Sequence, residues 1–347
     1  MKANAGFRNT KTRRHGLKLI SQTSTTINEH NKEDQDLENQ LQRRRGIAHD
    51  VLKNRFSYLL ALPAMVYTFL FGYMTYPYIV IAFQRFNYTK GIFDSEWIGF
   101  KNFEFFFKSN KAFEVTWNTI FLNFLFIGFG TLMALIIALL LNELRSKMFA
   151  KLSQSVMLFP NFISWIVVSY MLYAIFSMDL GMLNKMLNHL GIESVNWYTE
   201  PNTWPVILTV MKVWKGAGLS AVIYLAAITG IDDTLYEAAE IDGASRWQMC
   251  WRITLPLLMP TVVILLLLSV GKIMYGDFGM IYALVGDNGT LYRTTDVIDT
   301  YVFRSLRQVG DPSEAMAVGL FQSIVGFILV FGTNLIARKF FRDGALY

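Results

Sequence analysis

The sequence predicts an all-α polytopic membrane protein with six transmembrane helices and with both termini in the cytoplasm. Three observations support this fold class. Only 17% of the 347 residues are charged, compared with about 25% in an ordinary soluble domain. Six runs of mostly apolar residues are each long enough to cross a bilayer. Aromatic residues make up 15% of the chain, as expected of lipid-facing surfaces and of the aromatic belts at membrane boundaries.

Residues 1–55 form a basic, polar N-terminal arm. The arm holds 12 of the 32 Lys and Arg residues, and no apolar run follows its first basic residues, so we do not expect a secretory signal peptide here. We interpret it as a cytoplasmic segment, disordered or lying on the surface, that its charge holds near anionic lipid. Nucleic-acid binding is the alternative, but no known DNA-binding pattern accompanies the basic residues.

A membrane domain over residues 56–340 follows the arm, and residues 341–347 form a cytoplasmic tail. The predicted spans are residues 58–83, 118–141, 156–176, 206–228, 257–276 and 317–337. Lys and Arg cluster before the first span and after the second, fourth and last spans, which places these loops and both termini in the cytoplasm. The loop 84–117 fits this rule poorly, because it carries five basic residues against four acidic ones although it falls outside.

The loop between the fourth and fifth spans, residues 229–256, is called the elbow below. Its segment 235–241 contains strong helix formers, and Asp232, Asp233 or Thr234 can cap that helix. Gly243 permits the left-handed turn that ends it. A second short helix then leads to Leu255-Pro256, where the fifth span begins. This pattern predicts a docking knob for a partner; an amphipathic helix lying passively in the membrane interface is the alternative.

The spacing of particular elbow residues identifies a family. Glu237-Ala238-Ala239 is followed after three intervening residues by Gly243 and after nine more by Ile253. One further residue separates Ile253 from Leu255-Pro256. This spacing resembles the EAA signature of permease subunits of binding-protein-dependent ABC importers. Over residues 55–340 the chain resembles the maltose-permease-type carbohydrate group, and most of all the branch that imports complex oligosaccharides and aldouronates.

The resemblance implies partners and a mechanism. It implies a heterodimer with a second homologous permease, two nucleotide-binding ATPase subunits, and an extracytoplasmic substrate-binding protein. Glu237 and Asp242 would contact the ATPase, Ala238 and Ala239 would pack in its cleft, and Gly243 would make the turn. The remaining signature residues would fix the elbow to the fifth span: Ile253, Leu255 and Pro256. Closure of the nucleotide sites would then tilt the spans and switch access between the two sides, as alternating access requires.

Enzyme chemistry is not expected of this chain. It has no GxxxxGK[ST] loop to cradle phosphates, so ATP and Mg would be used by the partner ATPase and no cofactor would be bound here. One cysteine and four scattered histidines provide no metal-ligand spacing. We therefore predict a multi-pass transport subunit of a bacterial-type cell membrane.

Polar side chains near the spans predict a path for the substrate. Lys272 lies about 15 residues into the fifth predicted span, or roughly 22 Å from its inner end at 1.5 Å per residue. Tyr275 would share its helical face, and Asp277 would follow at the outer mouth. Trp214 and Lys215 in the fourth span would add an aromatic face and a second cation.

Each lysine also has a structural interpretation without substrate. Lys212 and Lys215 could extend to the outer headgroups, and Lys272 could pair with a carboxylate such as Asp277 or with one on the partner permease. Asn118 and Asn123 in the second span are interpreted as hydrogen-bonding groups between helices.

The function predicted from these observations is import of oligosaccharides, including acidic, uronate-containing ones. An importer of the same architecture for another solute, such as a glycerophosphodiester, is the first alternative. A polytopic membrane enzyme or sensor is the second. An enzyme would require paired catalytic groups inside the spans, which hold almost no acidic residues, and a sensor would require a larger soluble domain.

Overall fold

The computed structural model describes residues 53–340, with the side chains of residues 53–335. Residues 1–52 of the predicted arm and the predicted tail lie outside the described residues. The chain forms two compact units, which meet in sequence between Pro77 and Tyr78.

The described part of the first unit is helical. Helix α1 spans Arg55–Thr68 and continues as a π-helical turn over Phe69–Tyr73. A 3-10 helix, Tyr76–Phe83, begins in the last two residues of the first unit and continues into the second. The whole stretch Arg55–Phe83 is long and apolar enough to cross a membrane, in agreement with the predicted span 58–83.

A short hairpin in the second unit shows that the all-α prediction is wrong in one place. Strands β1 (Gln84–Asn87) and β2 (Gly91–Trp97) pair antiparallel, and helix α2 (Lys101–Lys108) follows. The Asn102 amide donates to the carbonyl oxygen of Gln84, the first residue of β1, at 3.0 Å, which fixes α2 beside the hairpin. The strands are too short for their alternation to stand out in a sequence dominated by long apolar runs.

The rest of the second unit is helical. Its helices are α3 (Asn110–Asn142), α4 (Lys147–Phe162), α5 (Trp165–Phe176), α6 (Met182–His189), α7 (Trp204–Ile228), α8 (Asp233–Ile241), α9 (Arg246–Met249), α10 (Leu255–Val270), α11 (Phe278–Val285), α12 (Tyr292–Thr295), α13 (Ile298–Arg304) and α14 (Pro312–Phe340). Within the described part of the chain, five helical stretches could each cross a membrane, or six if a bent pair counts as one span.

The bent pair corrects the third predicted span, residues 156–176. Helices α4 and α5 meet at an angle of 94°. The break is stabilised locally, because the Ser164 hydroxyl accepts from the backbone N–H of Val167 at 3.3 Å and so caps α5. Pro160, in the last turn of α4, also removes one backbone donor. A mean hydropathy taken over residues 156–176 does not detect such a break, so the sequence predicts a single span there.

The fifth predicted span, residues 257–276, also ends differently. Helix α10 stops at Val270, and tight turns occupy residues 271–275. At the other end α10 is continuous with α9 through a π-helical turn, Cys250–Thr254. The second short helix of the elbow is therefore the first turns of the fifth span, a candidate span of 25 residues, Arg246–Val270.

Three clusters of buried side chains hold the second unit together. One joins α3, α5, α7 and α11, where Trp204 and Leu208 are almost fully buried. Another joins α3, α7 and α10 around Tyr224. The third joins α2, α3, α13 and α14 around Phe106. Helices α3 and α7 thus contact most of the other long helices and position the residues considered next.

Candidate functional site

The elbow begins with a short, well-capped helix. The Asp232 side chain accepts from the backbone N–H of Thr234 at 3.0 Å, so α8 starts where the sequence predicts. This hydrogen bond lowers the pKa of the Asp232 carboxyl. Gly243 has φ +76°, the left-handed conformation that ends a helix. Both local predictions for the elbow are confirmed.

The signature residues present an exposed surface. Glu237, Ala238, Asp242, Gly243 and Pro256 are exposed, whereas Ala239, Ile253 and Leu255 are half-buried. Ile241, which the motif spacing did not single out, is 87% exposed. Leu235 and Trp247 of the elbow are exposed as well, at 45% and 70%. Several exposed apolar side chains on one segment are typical of a surface that a partner covers.

Two side-chain contacts brace the elbow. The hydroxyls of Tyr236 and Thr254 lie 2.9 Å apart and join α8 to the π-helical turn before α10. Arg246 Nη1 lies 3.1 Å from Glu143 Oε2 at the end of α3. Thr254 is buried, so its contact with Tyr236 is shielded, whereas the ion pair is exposed and contributes little stability by itself.

A second candidate site is a polar cavity of about 520 Å³ between α3, α7 and the end of α10. Its polar lining consists of Asn123, Thr131, Lys212, Ser220, Ser269, Lys272, Tyr275 and Asp277. The remaining lining is apolar or glycine. Aromatic and hydroxyl groups around a charged pair suit a hydrated, polar ligand.

The charges in this cavity are arranged asymmetrically. Lys212 Nζ lies 2.5 Å from Asp277 Oδ2. Lys272 is exposed to the cavity and has no ion pair or side-chain hydrogen bond among the described residues. The expectation that Lys272 pairs with Asp277 is therefore wrong, because Asp277 pairs with Lys212. The residues after Val270 form turns and do not continue the helix in which that pairing was expected.

The predicted path residues divide into two groups. Lys272, Tyr275 and Asp277 all line the cavity, although no helix brings Tyr275 onto the face of Lys272. Trp214 instead lines a separate, apolar groove between α3, α4 and α7. The Lys215 ammonium donates to backbone carbonyl oxygens at the break between α4 and α5.

Neighbouring groups hold the turn that carries the cavity residues. The Asn123 amide donates to the carbonyl oxygens of Ile273 and Tyr275, at 2.9 and 3.0 Å. The Gly276 N–H donates to Asp299 Oδ2 at 2.6 Å. Asn123 is therefore a hydrogen-bonding group, as predicted, but it connects α3 to the turns after α10 and not to another helix.

Asn118 has the same kind of role nearby. Its amide donates to the carbonyl oxygens of Arg293 and Asp296, at 3.2 and 3.1 Å. These contacts fix α3 to α12 and to the residues before α13. Asn118 is itself buried, so its hydrogen bonds compensate for the lost hydration of the amide.

Asp299, in α13, lies outside the candidate spans. Burial raises the pKa of its carboxyl, while the hydrogen bonds from Gly276 and Gln322 partly oppose that rise. Within the described residues no group of three or more His, Cys, Asp or Glu side chains could hold a metal ion. The residues of the turn after α10 are held by the hydrogen bonds to Asn123 of α3 and Asp299 of α13.

Comparisons with known proteins find a matching family and similar permeases. The model of a family described as binding-protein-dependent transport system inner membrane component matches residues 127–342. The chain is 35% identical to the polygalacturonan/rhamnogalacturonan transport system permease protein YteP of Bacillus subtilis over 303 residues, which cover 87% of this chain and 94% of the relative.

Solved structures are similar as well. A subunit of a bacterial ABC transporter involved in the import of the acidic polysaccharide alginate has a TM-score of 0.78 and 33% identity, covering 85% of this chain and 99% of that one. A chain of the bacterial alginate ABC transporter, crystallised with an alginate pentasaccharide-bound periplasmic protein, has a TM-score of 0.77 and 33% identity. It covers 85% of this chain and 98% of that one.

Proposed function

Because the chain belongs to the binding-protein-dependent transport system inner membrane components, we propose that it imports acidic oligosaccharides through the polar cavity. In this proposal a partner ATPase drives transport by acting on the elbow. The chain is a permease subunit of an ABC importer in the cell membrane and is not an enzyme. Both termini and the elbow lie in the cytoplasm in this proposal, as the distribution of Lys and Arg supports.

The exposed surface of α8 carries the coupling part of the proposal. Glu237 and Asp242 offer two exposed carboxylates, and Ile241 offers an exposed apolar side chain between them in the sequence. A nucleotide-binding ATPase docks on this surface, with Ala238 and Ala239 packed in its cleft. Ile253, Leu255 and Pro256 lie in the continuous helix that carries the motion into the membrane.

The unpaired ammonium of Lys272 carries the substrate part of the proposal. An acidic sugar has carboxylates that a free cation attracts, and hydroxyls that the cavity's Ser, Thr and Tyr side chains can bind. Lys212 is already neutralised by Asp277. The alginate import of the similar transporter supports an acidic substrate. Trp214 and Lys215 are not assigned to the path, because they lie away from the cavity's polar lining.

The partners follow from the family. We propose a heterodimer with a second permease, two ATPase subunits that use ATP and Mg, and an extracytoplasmic binding protein. The complex of the similar transporter with a periplasmic protein supports the last of these. The chain's own residues bind no cofactor in this proposal.

Co-purification from the native membrane tests the proposal. An ATPase and a second permease should accompany the wild-type chain. Glu237→Ala and Gly243→Pro should lose the ATP hydrolysis that the loaded binding protein stimulates. Glu240→Ala, an exposed glutamate on the same helix, is the matched control and should retain it. A chain that purifies alone, or variants that hydrolyse ATP normally, would overturn the coupling assignment.

The substrate is tested on the same preparation. Mass spectrometry of the ligand released from the co-purified binding protein should find a uronate-containing oligosaccharide. Competition of uptake by neutral oligosaccharides and by a glycerophosphodiester separates the alternatives. Inhibition by the phosphodiester alone would replace the carbohydrate assignment while leaving the coupling assignment intact.

A further inference from the structure

The Lys215 ammonium contacts both halves of the broken third span. It donates to three backbone carbonyl oxygens, those of Pro160, Asn161 and Ile163, at 3.2, 2.7 and 2.5 Å. The same Nζ lies 5.3 Å from the ring centroid of Trp165, the first residue of α5. One side chain therefore bridges the end of α4, the joint and the start of α5.

This arrangement satisfies both partners. A lysine has three donors and no acceptor, so three carbonyl oxygens use its whole hydrogen-bonding capacity. The last carbonyl groups of a helix lack intrahelical partners, and they carry the negative end of the helix dipole. A cation at the end of α4 is thus favourable, and Lys215 has no donor left for a sugar.

A glycine one turn later brings the same two helices into backbone contact. A Cβ added at Gly218 would lie 2.1 Å from the Met157 carbonyl oxygen, so α7 and α4 meet there without an intervening side chain. Gly218 and Lys215 lie three residues apart and face the same helix. Helices α4 and α7 are therefore fixed to one another at two adjacent points.

The contacts of Lys215 and Gly218 that fix α7 to α4 are called the clamp below. The connections of these helices suggest its role. Helix α7 ends at Ile228, five residues before α8 of the elbow begins at Asp233. Beyond the joint, α5 packs on α11, with Val168 and Met280 in one buried cluster. Helix α11 begins directly after Asp277, which lines the cavity. A chain of packed helices thus runs from the elbow, past Lys215, to the cavity.

We propose that Lys215 is a positioning residue that holds the angle between α4 and α5 and so transmits motion of the elbow to the cavity wall. This role rests on the proposed coupling function. Without the clamp, the joint flexes, and movement of α7 and α4 is no longer passed to α5 and α11. ATP hydrolysis then continues without matching transport.

The joint itself can be tested independently of ATP. Hydrogen–deuterium exchange on the purified full-length protein reports opening of residues 163–168, where the Val168 N–H donates to the Ser164 carbonyl oxygen at 3.1 Å. Lys215→Met should speed exchange there about tenfold or more, and Lys215→Arg should largely restore protection. Unchanged exchange in Lys215→Met would overturn the proposal, whatever the elbow does.

Transmission is tested in vesicles that contain the assembled complex, with uptake and ATP hydrolysis measured per assembled complex. For Lys215→Met we expect uptake to fall about tenfold, while stimulated hydrolysis stays within about twofold, since coupling between sites typically amounts to factors of this size. Lys151→Met, a change of an exposed lysine on α4, is the matched control and should alter neither rate.

The outcomes distinguish the two proposals. Equal losses of uptake and hydrolysis in assembled Lys215→Met complexes, or no loss of either, would contradict transmission through Lys215. If Glu237→Ala leaves hydrolysis coupled while Lys215→Met still loosens the joint, the elbow assignment fails and the clamp remains. Rescue by Lys215→Arg in the exchange measurement excludes a general loss of folding.

Discussion

Lys212 Nζ and Asp277 Oδ2 lie 2.5 Å apart in the wall of the polar cavity, although 65 residues separate them in the sequence. Both side chains are partly exposed, at 38% and 25%. The pair connects α7 to the residue that precedes α11 and neutralises one of the two cations in the cavity. It leaves Lys272 as the lining cation without an ion pair among the described residues, and substrate binding is the role proposed for it.

Replacing Lys272 tests that role. Lys272→Met should raise the KM for an acidic oligosaccharide by about tenfold, since one charge-assisted hydrogen bond contributes roughly 1.5–3 kcal/mol. Uptake kinetics with the reconstituted complex measure this. Lys90→Met, an exposed lysine of the hairpin turn, controls for loss of a positive charge. An unchanged KM in Lys272→Met, or an equal effect on a neutral oligosaccharide, would remove Lys272 from acidic recognition.

Breaking the ion pair between Lys212 and Asp277 should not raise the KM for acidic ligands as Lys272→Met does. Asp277→Asn frees Lys212 and adds a positive charge to the cavity, so the KM for an acidic oligosaccharide should fall or stay level while turnover falls. The charge-swapped variant, Lys212→Asp with Asp277→Lys, should recover turnover more than either single change. Independent, additive effects in this double-mutant cycle would show that the ion pair does not contribute to transport.

Gly243 tests the geometry of the elbow. Its φ of +76° is unfavourable for any residue with a Cβ, although a Cβ placed there would meet no atom within 4 Å. Gly243→Ala should therefore cost only backbone strain, roughly 1–2 kcal/mol, and should weaken binding of the ATPase in a pull-down. Gly319→Ala is the control, because that glycine is helical and has equal space. Equal behaviour of the two variants would contradict a requirement for the left-handed turn.

Much of the elbow could be predicted from the sequence, because its determinants are local. The cap at Asp232, the helix and the turn at Gly243 all depend on neighbours within a few residues, and the structure confirms them. The cavity could not be predicted in the same way. Lys212 and Asp277 meet only after α7 and the turn following α10 have packed against α3.

The break in the third span illustrates the limit of hydropathy. Residues 156–176 are apolar enough to form one helix, and the sequence offered only two small signals against it, Pro160 and the capping residue Ser164. Which lysine would lie at the break depends on the packing of α7 against α4. The sequence alone placed Lys215 on the substrate path, whereas in the structure its ammonium donates to backbone carbonyl oxygens at the break.

Arg304 and Asp296 provide a stability test. Arg304 Nη2 lies 2.5 Å from Asp296 Oδ2, and the aspartate side chain is only 1% exposed. Arg304→Met leaves a buried carboxylate without its cation and should lower the free energy of unfolding by about 3–5 kcal/mol. Adding Asp296→Asn should recover much of that loss. Thermal unfolding in detergent measures the stability of Arg304→Met and of the double variant. An Arg304→Met protein as stable as the wild type would show that the ion pair does not stabilise the fold.

The pH dependence of stability should reveal Asp299. Burial raises its pKa above the ordinary 3.8, so the folded state binds a proton that the unfolded state releases. The contribution of this carboxyl to the free energy of unfolding therefore decreases as pH rises from 3.8 through the folded-state pKa. Asp299→Asn should lack this decrease, so its midpoint relative to wild type should rise with pH. A constant difference between the two midpoints would show that the carboxyl titrates alike in both states.

The helix is unbroken from Arg246 to Val270, so the number of residues in it sets the orientation of the elbow relative to the fifth span. Each residue in an α-helix advances the chain by about 100° around the axis. One residue inserted or deleted between Arg246 and the membrane would therefore rotate the end of the elbow by roughly that angle relative to the fifth span. A change of length in this stretch would therefore turn the proposed docking surface relative to the fifth span, even where every neighbouring residue keeps its type.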